Sequence, residues 1–168
     1  LPLRQCQPWE AYIFVGLLAT IGGLGLYFFF NALAAFIGLL SLLLYALVYT
    51  PLKRVSSLAV LVGAIPGALP PLIGAIAITE ELHPIGILLF MIQFFWQFPH
   101  FWAIAWVSFD DYKRADIMLL PNASGRTRIS AMHIVLYTLV LIPLPVFAYS
   151  TGLLPMPLTL GLVVLLSL

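Results

Sequence analysis

Ala11–Leu52, AYIFVGLLATIGGLGLYFFFNALAAFIGLLSLLLYALVYTPL, runs for 42 residues without a charged side chain. An α-helix rises about 1.5 Å per residue and a bilayer's hydrocarbon core is about 30 Å thick, so about 20 apolar residues cross it once. The stretch is long enough for two crossings. Asn31, near its middle, is a turn-forming residue and marks the boundary between them.

Working outward, further charge-free runs occupy 55–79, 82–109 and 129–168. Spans are expected at about 11–30, 32–50, 57–78, 85–108 and 129–149. Part of a sixth follows at 158–168, after the polar and proline-containing link from Ser150 to Pro157. The expected fold class is all-α: a polytopic transmembrane helix bundle, in one integral-membrane domain over 1–168. Residues 158–168 are too few to cross a bilayer, and the chain starts at Leu1 without a methionine, so it is read as a fragment of a longer protein.

Composition agrees with a lipid bilayer as the surroundings. Of the 168 residues 63% are hydrophobic and 8% charged, with a mean hydropathy of +1.13. A soluble domain carries about 25% charged residues. Soluble and disordered classes are excluded on that ground. A net charge of +1 supplies no field for a polyanion, so no nucleic-acid partner is expected. The single Cys6 excludes an internal disulfide and any multi-thiolate metal site. If Arg4 is cytoplasmic, alternating spans place Lys53, Arg54, Lys113, Arg114, Arg126 and Arg128 on the same side, with Glu80 and Glu81 opposite.

Three clusters carry possible chemistry. The second span ends in LYALVYTPLKR (44–54), where Tyr45, Tyr49 and Lys53 recur every four residues and share a helix face. Pro51 is expected to loosen the last turn through Thr50, which precedes it. Two phenols below Lys53 and Arg54 suit a diphosphate at the membrane surface, with Arg54 able to bind it bidentately; positive-inside punctuation would use the same residues. In the fourth span, QFFWQFPHFW (93–102) sets Gln93, Gln97 and His100 as a polar stripe beside Trp96. The stripe is either a helix-to-helix hydrogen-bond network or the site of a histidine that ligates haem iron or carries a proton. The loop DDYKRAD (110–116) then gathers Asp110, Asp111 and Asp116 beside Lys113 and Arg114. Carboxylates near a diphosphate usually reach it through magnesium.

A fourth feature is GAIPGALPPLIG (63–74) inside the third span, with Pro66, Pro70 and Pro71. Each proline removes a donor and clashes with the preceding turn. A broken helix is expected, as a packing kink or as a cavity wall.

Taken in order, Tyr49–Arg54, the 63–74 string, WQFPHF (96–101) and Asp111-Tyr112 with Ala115, Leu120 and Pro121 resemble the protohaem IX farnesyltransferase family of the UbiA prenyltransferase superfamily. The resemblance covers nearly the whole chain. It implies a nine-helix bundle opening near the cytoplasmic side, with farnesyl diphosphate and haem B as substrates, haem O as product and Mg2+ as cofactor. It assigns catalysis to Tyr49, Lys53 and Asp111, and diphosphate binding to Tyr49, Lys53, Arg54, Lys113 and Arg114. Haem contact falls to His100, Gln97 and Trp96, and metal binding to Asp110, Asp111 and Asp116. A bacterial inner membrane is implied, or alternatively a mitochondrial one, with terminal-oxidase assembly or haem A synthase as further partners. The family's first aspartate-rich motif is expected before Leu1, so the fragment alone is expected to be inactive. Departures from the family pattern stand at Ala75, Asp116 and Met118. The alternatives are another UbiA-type prenyltransferase, a transporter using the third span and the Gln93–His100 stripe, or a haem-handling subunit.

Overall fold

The computed structural model describes residues 7–53, 56, 58–115, 120 and 125–167. Its order is α1 (Pro8–Phe29), α2 (Ala32–Leu43), a π-helical turn (Leu44–Tyr49), α3 (Thr50–Leu52), α4 (Ala59–Thr79), α5 (Pro84–Val107), α6 (Phe109–Arg114), α7 (Arg128–Val140), α8 (Pro143–Ser150) and α9 (Met156–Ser167). Among the described residues, five helical stretches are long and apolar enough to cross a membrane. The second of them runs from Ala32 through the π turn to Leu52, and the fifth joins α7 and α8. The fold is an all-α polytopic bundle, as the charge-free runs require.

Asn31 makes the first turn and does more besides. Its Oδ1 accepts from Ala34 N–H at 2.8 Å, capping α2, while its Nδ2 donates to Ile76 O at 2.9 Å near the end of α4. One amide thus satisfies an orphan donor of one helix and ties down another. Gly38 lets α2 approach α1, since a Cβ there would stand 2.7 Å from Leu26 Cδ1. Packing then continues from α2 to α4, α4 to α5 and α5 to α7. Gly86 and Ala75 set the close approach of α4 and α5, with a Cβ at 86 falling 2.8 Å from that of Ala75.

Burial concentrates on α4 and α5. One cluster joins Val60 and Ala64 to Phe98, Trp102 and Ala105, and a second joins Ala34 to Leu69, Leu72 and Ile76. By contrast α1 buries none of its residues, leaving an apolar exterior that suits hydrocarbon.

The expected break in the third span does not occur: α4 is one helix through Pro66, Pro70 and Pro71. For one of the three carbonyls these prolines free, the compensation comes from a neighbouring helix. Pro70 has no N–H for the carbonyl of Pro66, four residues earlier, and Ser41 Oγ of α2 donates to that oxygen at 3.1 Å. The fifth span, read as one, is a single stretch from Arg128 to Ser150 that is wound as two helices. Pro143 starts α8, and the turn before it closes with tight bonds from Leu141 N–H to Thr138 O and from Ile142 N–H to Leu139 O.

Candidate active site

The end of the second span is wound more widely than an α-helix. Over Leu44–Tyr49 the bonding is π-type, and the N–H of Thr50 reaches Tyr45 O. Thr50 Oγ1 donates to the same oxygen at 2.9 Å. Pro51 therefore loosens the helix upstream of itself, whereas Thr50 keeps helical angles (φ −61°, ψ −44°), against the expectation. The anticipated face survives. The rings of Tyr45 and Tyr49 lie 5.1 Å apart, and Lys53 Nζ is 5.9 Å from the centre of the Tyr49 ring.

Tyr49 lies across α4 at Gly63, where a Cβ would stand 2.6 Å from the ring. One turn on, Gly67 lies beneath the amide of Gln97. These glycines floor a cavity of about 170 Å3, walled by Tyr45 and Tyr49 on one side and Gln97 and Phe101 on the other, with Val60 between. Two of the sequence motifs, more than forty residues apart, therefore meet at one cavity. Larger grooves of about 490 and 300 Å3 lie between α1 and α2, but their walls are almost wholly apolar and contain none of the motif residues.

The polar stripe of α5 divides in two. Gln97 is buried, and its Nε2 donates to Ala64 O at 3.0 Å and to Gln93 O at 3.2 Å. That is the helix-to-helix network the sequence allowed. His100 is exposed and stacks on Trp96, with ring centres 4.3 Å apart and planes 17° from parallel. Phe101 links the two regions, lining the cavity while its ring lies 5.7 Å from that of His100. His83 caps α5 through Nδ1, and His133 pairs with Ile129 O, so both serve structure.

The aspartate-rich segment forms α6. Asp111 pairs with Arg114 at 3.5 Å and Asp110 with Arg126 at 3.7 Å; Arg126 is partly covered and the other three side chains are well exposed. Lys113 is exposed as well. Tyr112 packs on the cluster that contains Val60, and Val60 lines the cavity, which brings α6 to the cavity's neighbourhood. Arg54 and Asp116 lie outside the described residues.

Asp110 and Asp111 do not by themselves make a magnesium site. The ion needs near-octahedral oxygen ligands, yet Asp110 and Asp111 are adjacent on a helix and each faces an arginine. Among the described residues no three acidic, histidine or cysteine side chains converge on one point.

A sequence profile of the UbiA prenyltransferase family matches residues 1–168. The chain belongs to the UbiA prenyltransferase family. Among curated relatives of this UbiA chain is a protein of Cytophaga hutchinsonii named protoheme IX farnesyltransferase, 52% identical over 129 residues, covering 77% of this chain and 44% of the relative. Proteins of the same name from Flavobacterium psychrophilum and Flavobacterium johnsoniae are 46% and 45% identical. Those alignments cover 92% and 93% of this chain and 52% and 53% of the relatives. The chain thus spans about half the length of the curated relatives it matches. No solved structure matches it.

Within this UbiA chain, sequence reasoning missed Ser41 as part of the site's frame, and it offered the 63–74 string as a cavity wall without singling out Gly63 and Gly67. It noted Arg126 only as a topological charge. The placement of two glycines four apart on one helix was the available signal, but only the partner helices show what they admit.

Proposed function

We propose that the protein transfers the farnesyl group of farnesyl diphosphate to a vinyl group of haem B, giving haem O. The observation that carries this reading is the cavity where Tyr45 and Tyr49 meet Gln97 and Phe101, with Lys53 Nζ 5.9 Å from the Tyr49 ring. It offers an anion site at one end and an aromatic chamber below it. The names of the similar proteins supply the substrates.

In this reading Lys53, with Arg54, Lys113 and Arg114, stabilises the leaving diphosphate, which takes away the electron pair as the allylic C–O bond breaks. Tyr45, Tyr49 and Phe101 present ring faces to the allylic cation. The vinyl π electrons of haem B form the new C–C bond. Water then captures the resulting porphyrin-side cation and loses a proton, leaving a hydroxyl. The Trp96–His100 stack offers a flat surface for the porphyrin. The family's use of Mg2+ with diphosphates makes it the dication to assay, with the remaining ligands supplied from outside the described residues. Lys53 and α6 are placed on the cytoplasmic side of a bacterial plasma membrane.

The test is to express the full protein in cells lacking haem O, extract the haems and identify prenylated product by mass spectrometry. Wild type should give haem O. Lys53→Ala and Asp111→Ala should each lower its yield at least about tenfold, the scale of one lost charge-assisted contact. His100→Ala should raise the KM for haem more than that for the diphosphate. No prenylated haem from wild type, or undiminished product in all three variants, would overturn the reading.

A further inference from the structure

Arg126 makes more directional contacts than any other cation among the described residues. Its Nε donates to Trp106 O at 2.7 Å and its Nη2 to Val107 O at 3.0 Å. Those carbonyls close α5, where helical acceptors lack partners and the negative end of the helix dipole lies. Nη1 stands 3.7 Å from Asp110 Oδ2, and the guanidinium lies over the Phe109 ring, 5.3 Å from its centre.

The residue before it is equally constrained. Gly125 has φ +82°, and a Cβ there would come within 2.5 Å of Cζ of the same Phe109 ring. Glycine is required on both counts. The carbonyl of Gly125 accepts from buried Ser130 Oγ at 2.9 Å, fixing the segment to the start of α7. From that anchor the guanidinium grips both the last turn of α5 and the first turn of α6. At six residues, α6 is too short to hold its own direction.

We infer that Arg126 is a positioning residue, which locks the α6 turn against the end of α5. The turn that carries Asp111, Lys113 and Arg114 is thereby held against the cluster on which Tyr112 packs, and Arg126 does not itself touch substrate. This rests on the diphosphate reading above. Lysine cannot replace it, because one ammonium cannot bridge two carbonyls and a carboxylate in a planar fork.

The test uses the full protein in lipid nanodiscs, with inorganic diphosphate as the probe. Arg126→Ala and Arg126→Lys should each weaken diphosphate binding, measured by calorimetry, about tenfold. Both should speed hydrogen exchange of the 108–115 amides while leaving exchange in α4 unchanged. Exchange and affinity both equal to wild type would overturn the inference. So would weaker binding without faster exchange in 108–115, since that marks direct contact with the anion. If wild type binds diphosphate but yields no prenylated haem, the proposed reaction fails while the positioning role is decided by exchange and binding. If wild type binds no diphosphate, both fall.

Discussion

Gly67 and Gln97 show how much one hydrogen atom in place of a methyl group can determine. The Gln97 amide rests on the α4 backbone at Gly67 and there reaches Ala64 O. In Gly67→Ala the new methyl displaces the amide from its partner and pushes it toward the cavity. The expected cost is about 1–3 kcal/mol, the usual range for overpacking. Thermal unfolding in detergent should show the loss, and adding Gln97→Ala should recover part of it, because the two residues share one contact. A double variant no better than the single one would separate them. The residues themselves were legible in the sequence as a small-residue string and a polar stripe. Their contact was not, because it joins positions 33 apart for the hydrogen bond alone, across two helices. The Lys53–Tyr49–Tyr45 face was legible, since i, i+4 spacing within one helix needs no knowledge of neighbours.

Elements were legible where they depended on apolar length and obscure where they depended on partners. Asn31 announced its turn, and the runs between charges announced the helices. The continuity of α4 could not be read, because the donor that satisfies Pro66 O belongs to Ser41. Ser41→Ala should therefore cost about 1 kcal/mol, leaving that carbonyl without a partner at membrane depth. Thr20→Ala is the control: its hydroxyl bonds only to Gly16 O on its own helix, and the expected change is within about 0.5 kcal/mol. Equal effects in the two variants would deny Ser41 its bridging role. The division of the fifth run was in principle visible in Pro143. A proline can equally sit inside a continuous helix, as Pro99 does in α5, and the sequence alone did not separate the cases.

At the scale of the whole molecule, sparse charge gave the environment and the order of four weak motifs gave the family. The described part of the site is a cavity with a cation beside one of its tyrosines and an acidic turn nearby, not a finished metal centre. The proposed sidedness rests on the basic residues and can be measured. With Cys6→Ser as background, single cysteines in place of Glu81 and Lys113 should react with a membrane-impermeant maleimide from opposite faces of sealed vesicles. Labelling of both from the same face would reverse the proposed topology for one of them.

The wide turn at Leu44–Tyr49 makes the Tyr-to-Lys motif unequally sensitive to two kinds of genetic change. A π turn accommodates one residue more than an α-helical segment of the same rise. The turn already holds that extra residue, so a single-codon insertion there could not be taken up by the winding and would rotate everything beyond it by about 100°. Lys53 would leave the Tyr45 face although every motif residue remained encoded. Point substitutions at Ala46, Leu47 or Val48, whose side chains do not line the cavity, would leave that alignment intact. Reading frame length, more than residue identity, is what this segment has to preserve.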